Sequence, residues 1–192
     1  MKTLVRTLLA ATLLSASLAQ AVEVAGIDFV PHTQVDNGTL SLNGAGLRTR
    51  LTFKVYAMGL YLRSPSTSSA DILQDGGEKR IRIVMIRDLD GKQFADAMLD
   101  GLKRNHDDET LAALKPSIDA PLAAVQDSGD AKAGTEVILD RLASGATRLL
   151  INGQPQGSDI ADPAFYPALL RIWLGERPAD SGLKASLLQP AQ

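Results

Sequence analysis

Leu42–Leu62, LNGAGLRTRLTFKVYAMGLYL, is the stretch that most restricts what this chain can become. It is strongly β-forming, and its Leu47–Leu62 part exceeds an ordinary strand of about six residues. A bulge or a hairpin must therefore interrupt it. Arg48 precedes Tyr56 by eight residues, an even spacing that puts both side chains on one face of an unbroken strand. A guanidinium is a permanently charged, forked donor suited to a carboxylate or enolate oxygen, and a neighbouring phenol can add a hydrogen bond to the same anion. The competing reading is a solvated strand face. Arg50, Thr52 and Lys54 share the parity of Arg48, while Leu47, Leu51, Phe53 and Val55 take the other. Spacing alone favours the solvated face, and an interruption would void the parity argument.

The first 21 residues read as a removable leader. Lys2 and Arg6 precede the apolar run LLAATLLSASLA, and Ala19-Gln20-Ala21 has the form of a cleavage site. The run is short and rich in alanine and serine, a poor match to a stable membrane span. Cleavage after Ala21 would deliver a periplasmic protein, Val22–Gln192, of 171 residues, the size of a single domain. Losing Lys2 and Arg6 leaves 18 basic against 22 acidic residues, a net charge of −4. That balance argues against nucleic acid or an anionic membrane surface as the main partner. The chain has no cysteine, which excludes disulfides, thiol catalysis, iron–sulfur clusters and thiolate zinc sites.

The remaining pattern is α+β. Val22–Phe29 and Thr39–Leu42 read as strands around an Asp36-Asn37-Gly38 turn. A short helix covers Ala70–Leu73. Lys79–Arg87 alternates, with Ile81, Ile83 and Met85 opposite Arg80 and Arg82. Asp90-Gly91 opens a helix with an apolar stripe of Phe94, Ala97, Met98, Gly101 and Leu102. Glu109–Val125 is helical on either side of Pro116, which should end or kink it. Glu136–Leu142 and Thr147–Ile151 form a hairpin around Ser144-Gly145, and Asn152-Gly153 is a tight turn. Asp162-Pro163 starts the last main helix, which buries Phe165, Leu169, Ile172 and Trp173 and stops at Gly175. A short amphipathic tail, Leu183–Leu188, follows.

Other chemistry finds little support. His32 and His106 lack metal-ligand spacing and read as solvated. Asp107-Asp108-Glu109 reads as the acidic start of a helix. Gly44-Ala45-Gly46 lacks the helix a phosphate loop needs and reads as turn chemistry. No serine sits in a nucleophile elbow. No metal site or cofactor motif is visible. Arg87 reads as a surface residue that could add charge at a cleft mouth.

The order of three blocks resembles the chalcone isomerase-like family. GAGLR at 44–48 with KVYAMGLYL at 54–62 is similar to its sheet core, EKRIRIVMIRDLDGKQFADAM at 78–98 to its next strand and helix, and FYPALLRIWLGERPADSGLKASLL at 165–188 to its C-terminal helices. The resemblance implies an open-faced β-sandwich, a large antiparallel sheet packed against a layer of helices with a ligand cleft between. It also implies two functional kinds: plant isomerases that close a ring on an enone, and non-catalytic members that hold a fatty-acid carboxylate with an arginine and a tyrosine. Arg48 matches the shared arginine. Tyr56 matches the position that is threonine in the catalytic kind and tyrosine in the binders. Phe94 falls where the plant enzymes carry a tyrosine, Ala97 and Gly101 where they carry a lysine and an asparagine. Ile172 and Trp173 replace a threonine or serine and a methionine.

Loss of the tyrosine donor at Phe94 removes roughly 3–4 kcal/mol of oxyanion stabilisation. A long-chain carboxylate needs one cationic anchor and an apolar tunnel. The resemblance therefore implies a non-catalytic protein whose Arg48 and Tyr56 hold a fatty acid or similar apolar anion, with Phe94, Met98 and Trp173 lining the tunnel. As plain helical-stripe or core residues, the last three need no ligand. The alternatives are an intramolecular lyase using Arg48 and Tyr56 on an enolate, and a periplasmic protein-interaction module. An exposed apolar patch outside the cleft would favour the last.

Overall fold

The computed structural model describes residues 21–127 and 129–190. The leader expected over Met1–Ala21 lies outside them, Ala21 excepted. Seven strands form one antiparallel sheet in sequential order: β3 (His32–Val35), β4 (Gly38–Arg50), β5 (Phe53–Leu62), β6 (Lys79–Met85), β7 (Glu136–Arg141), β8 (Thr147–Ile151) and β9 (Gln154–Pro155). Val22–Phe29 is a two-stranded ribbon, not one strand: β1 (Val22–Val24) pairs with β2 (Ile27–Phe29). Ala25 and Gly26, at φ 52° and 83°, make the turn between them.

Period-two alternation sorts the sheet into two faces. Tyr56, Met58, Leu60, Ile81, Ile83, Met85, Val137, Leu139 and Leu149 join the core beneath the helices. Ala57 and Tyr61 point the other way and pack with Phe29, Leu40 and Leu42 in a smaller core under the β1–β2 ribbon. Arg80 and Arg82 share that second face. Arg80 forks onto Asp140 at 2.7 Å through both nitrogens, and Arg82 bonds Glu136 at 2.6 Å while lying over the Phe29 ring. This is an α+β fold, an open-faced sandwich with its main helical layer on one side.

Five helices follow the local signals closely: α1 (Ser69–Gln74), α2 (Gly91–Asn105), α3 (Asp108–Asp127), α4 (Phe165–Leu174) and α5 (Ser181–Leu187). Ser68, Asp90 and Asp180 cap α1, α2 and α5 by accepting backbone N–H bonds. Asp107 accepts from the Thr110 amide ahead of α3. Three expectations fail for identifiable reasons. Pro116 does not end a helix: α3 continues through Pro116 and Pro121, because Leu114, Ile118 and Val125 remain buried on one stripe. That burial outweighs two missing amide bonds. α4 begins at Phe165 rather than at Pro163, since Asp162 spends its carboxylate and carbonyl on a preceding turn. His106 is not merely solvated: its Nε2 meets the Ala168 carbonyl at 3.0 Å.

Gly44-Ala45-Gly46 is not a turn but lies inside β4. A Cβ on Gly44 would sit 2.3 Å from the Ser186 carbonyl, and one on Gly46 would sit 2.6 Å from Ser186 Cβ. The two glycines let α5 lie directly on the sheet. Beside them a bulge at Asn43 breaks the β4–β5 register. This fully buried amide donates to the Ser66 and Leu187 carbonyls and accepts from the Ser66 amide. It ties the end of α5 to the loop after β5.

Candidate functional site

The long β segment is a hairpin turned by Leu51-Thr52, so Arg48 and Tyr56 sit on adjacent strands. They share a face because the register makes them direct cross-strand partners. Even spacing along one strand plays no part. Arg50, Leu51, Thr52, Phe53 and Lys54 are exposed at the tip.

The helices complete a cleft of about 570 Å³ over this end of the sheet. α4 contributes Ile172 and Trp173, and α2 contributes Gln93, Phe94, Asp96, Ala97, Met98, Asp100 and Arg104. Arg48, Tyr56, Phe94, Met98 and Trp173 all line this one cavity. Gly101 lies deeper, where a Cβ would come within 2.8 Å of Ile172, and it sets the close approach of α2 to α4. Arg87 is exposed, as a surface residue should be, yet it also stands at the cleft mouth over the Phe53 ring, 5.2 Å from its centroid.

Phe94, Met98 and Trp173 face two ways. Behind them lies a small apolar void of about 10 Å³ among Ile83, Val125, Val137, Leu139, Leu149 and Phe165, barely the size of one water. The three side chains are therefore both core and cleft wall.

At the polar end, Trp173 Nε1–H donates to Tyr56 Oη at 2.8 Å. Burial pushes the Tyr56 phenol above its usual range, against the opposing influence of Trp173 and of Arg48. At neutral pH it is therefore a protonated donor whose oxygen is already oriented. Arg48 is mostly buried, its side chain 19% exposed. Its Nη1 donates to the Thr49 carbonyl and reaches Asp180 Oδ2 only at 3.5 Å. Asp180 is committed elsewhere, accepting the Thr49 and Leu183 amides at 3.0 Å each. Burial alone would raise its carboxyl, but these backbone donors outweigh it and hold it below the usual range. Arg48 thus keeps a charge only loosely balanced by its neighbour. Among the described residues its Nε and Nη2 have no carboxylate or carbonyl acceptor.

Asp180 escaped the sequence reading. Its capping pattern, an aspartate three residues before Leu183, is visible in the sequence. Its placement beside Arg48, 132 positions away, leaves no local trace.

A family model described as chalcone isomerase-like matches residues 21–189. The chain belongs to the chalcone isomerase-like family. No curated protein matches it by sequence. Among solved structures, this chalcone isomerase-like chain is similar to the Arabidopsis thaliana fatty-acid binding protein AtFAP1, with a TM-score of 0.66 over 85% of this chain and 92% of that one. Identity between the two is 17%, so the likeness is one of fold.

Proposed function

We propose that this chalcone isomerase-like protein binds a fatty acid or a similar small apolar carboxylate and does not catalyse ring closure. The observation that carries the reading is the polarity of the cleft. An incompletely paired guanidinium and an oriented neutral phenol occupy one end, and Phe94, Met98, Ile172 and Trp173 form an apolar wall. A carboxylate would take the free edge of Arg48 and the Tyr56 proton, and its tail would lie on the wall. That a fatty-acid binding protein shares the fold agrees with this reading. The phenylalanine at position 94 supplies no donor for a developing oxyanion, which counts against the lyase alternative. The leader over Met1–Ala21, cleaved after Ala21, would place this activity in the periplasm.

The test is to purify the protein natively, denature it, and identify released small molecules by mass spectrometry. Fatty acids should be recovered from wild type and lost from Arg48→Ala. Removing a desolvated charge partner costs about 2–5 kcal/mol of affinity. Asp180 keeps its backbone donors in that variant, so the fold should persist. An empty cleft combined with measurable chalcone cyclisation overturns the proposal.

A further inference from the structure

We propose that the tip of the β4–β5 hairpin is a docking element for an anionic lipid surface, with Leu51 and Phe53 entering the bilayer interface beside the open cleft. Leu51 is 90% exposed and Phe53 57% exposed. The remaining large exposed hydrophobic residue among those described is Val30, on another part of the fold. Leu51 also stands at φ 57°, a left-handed backbone that glycine or asparagine adopts readily and leucine rarely does. Both its backbone and its side chain are thus in unfavourable settings, although a polar turn residue would relieve each. An outlier of this kind points to a role for the side chain outside the fold.

Charge selects the partner. Arg50 and Lys54 flank the two apolar side chains, and Arg87 lies over the Phe53 ring. None of the three has a carboxylate within ion-pair distance among the described residues. Elsewhere in the sheet Arg80, Arg82 and Arg148 are each paired with an acid, and Arg141 donates to the Gly76 and Gly77 carbonyls. The chain as a whole is acidic, at −2, so the tip is a local cationic site on a body that an anionic surface repels. This orients the molecule tip first.

The whole-chain charge, which argues against a membrane partner, conceals this asymmetry. Apolar side chains ringed by unpaired cations suit an interfacial anchor on acidic lipid. A two-fold contact with a second copy would oppose identical cations, and the ring disfavours it. Leu51, Phe53 and Arg87 also line the cleft, so docking would bring its mouth to the lipid. The inference does not require that the cleft holds a fatty acid.

Co-sedimentation with vesicles tests it, comparing phosphatidylcholine alone with phosphatidylcholine containing phosphatidylglycerol. Every variant carries the same N-terminus as wild type, so any affinity of the leader cancels in the ratio. Wild type should bind the anionic vesicles preferentially. Leu51→Asn with Phe53→Thr should lower that binding about tenfold or more. Arg50→Gln with Lys54→Gln should lower it about thirtyfold at low salt, leave neutral vesicles unaffected, and converge with wild type at high salt. The thermal midpoint should not fall on Leu51→Asn, because asparagine tolerates the left-handed turn. Binding equal in wild type and both variants, or no preference for anionic vesicles, overturns the proposal. So does a wild-type dimer that the apolar-tip variant dissolves, which would assign the tip to a second copy.

Discussion

Tyr56→Phe deletes one oxygen and separates the Trp173 bond seen in the structure from the head-group contact proposed for it. Trp173 is 2% exposed and Tyr56 8% exposed, so the indole N–H loses its 2.8 Å acceptor where water hardly reaches. Leaving a buried donor unsatisfied costs about 1–3 kcal/mol. Ligand-stripped Tyr56→Phe should therefore unfold at lower urea by that amount. In a Trp173→Phe background the same change should cost about 1 kcal/mol less, because no donor is left stranded. The proposed second role is donation to a bound carboxylate, a bond to a charged group worth about 1.5–3 kcal/mol, or roughly ten- to hundredfold in Kd. Titration calorimetry with a saturated fatty acid reads that term separately. Burial raises the phenol pKa, so the phenol stays protonated and binding should not change through its titration near neutrality. The neutral-phenol contribution to stability is complete below the ordinary tyrosine value of about 10 and fades only as pH rises beyond it. An unchanged urea midpoint would refute the Trp173 bond. A lowered midpoint with an unchanged Kd would reduce Tyr56 to a core support and remove it from the head-group site.

Two further outcomes follow from the packing. Gly44→Ala should lose about 1–3 kcal/mol in chemical unfolding, because its methyl meets backbone atoms of Ser186 and Leu187 that cannot rotate away; a neutral result would mean that α5 does not rest on β4. Arg63 forks onto the largely buried Glu78 at 2.5 and 2.6 Å and depresses its pKa. That stabilisation is present above the usual glutamate value and disappears as pH falls through the lowered folded one. The stability gap between wild type and Glu78→Gln should therefore narrow in acid, and a gap constant from pH 7 to about pH 3 would contradict the assignment.

Sequence periodicity by itself determined the secondary structure of α2 and β6. Phe94, Met98, Gly101 and Leu102 recur at helical steps, and Ile81, Ile83 and Met85 at strand steps, patterns written into neighbouring residues. Capping was equally local at Ser68, Asp90 and Asp180. The family followed from the order of the blocks, and with it the open-faced sheet. The hairpin turn at Leu51-Thr52 was the point at which local reasoning stopped, since a long β-forming run does not state where it reverses. Arg48 and Tyr56 meet through strand register, and Trp173 and Asp180 reach them from helices more than one hundred positions away. The strand glycines, and Pro116 as a stop within α3, were misread for the same reason. Their meaning depends on what packs above them, a consequence of folding in three dimensions that no spacing along the chain encodes.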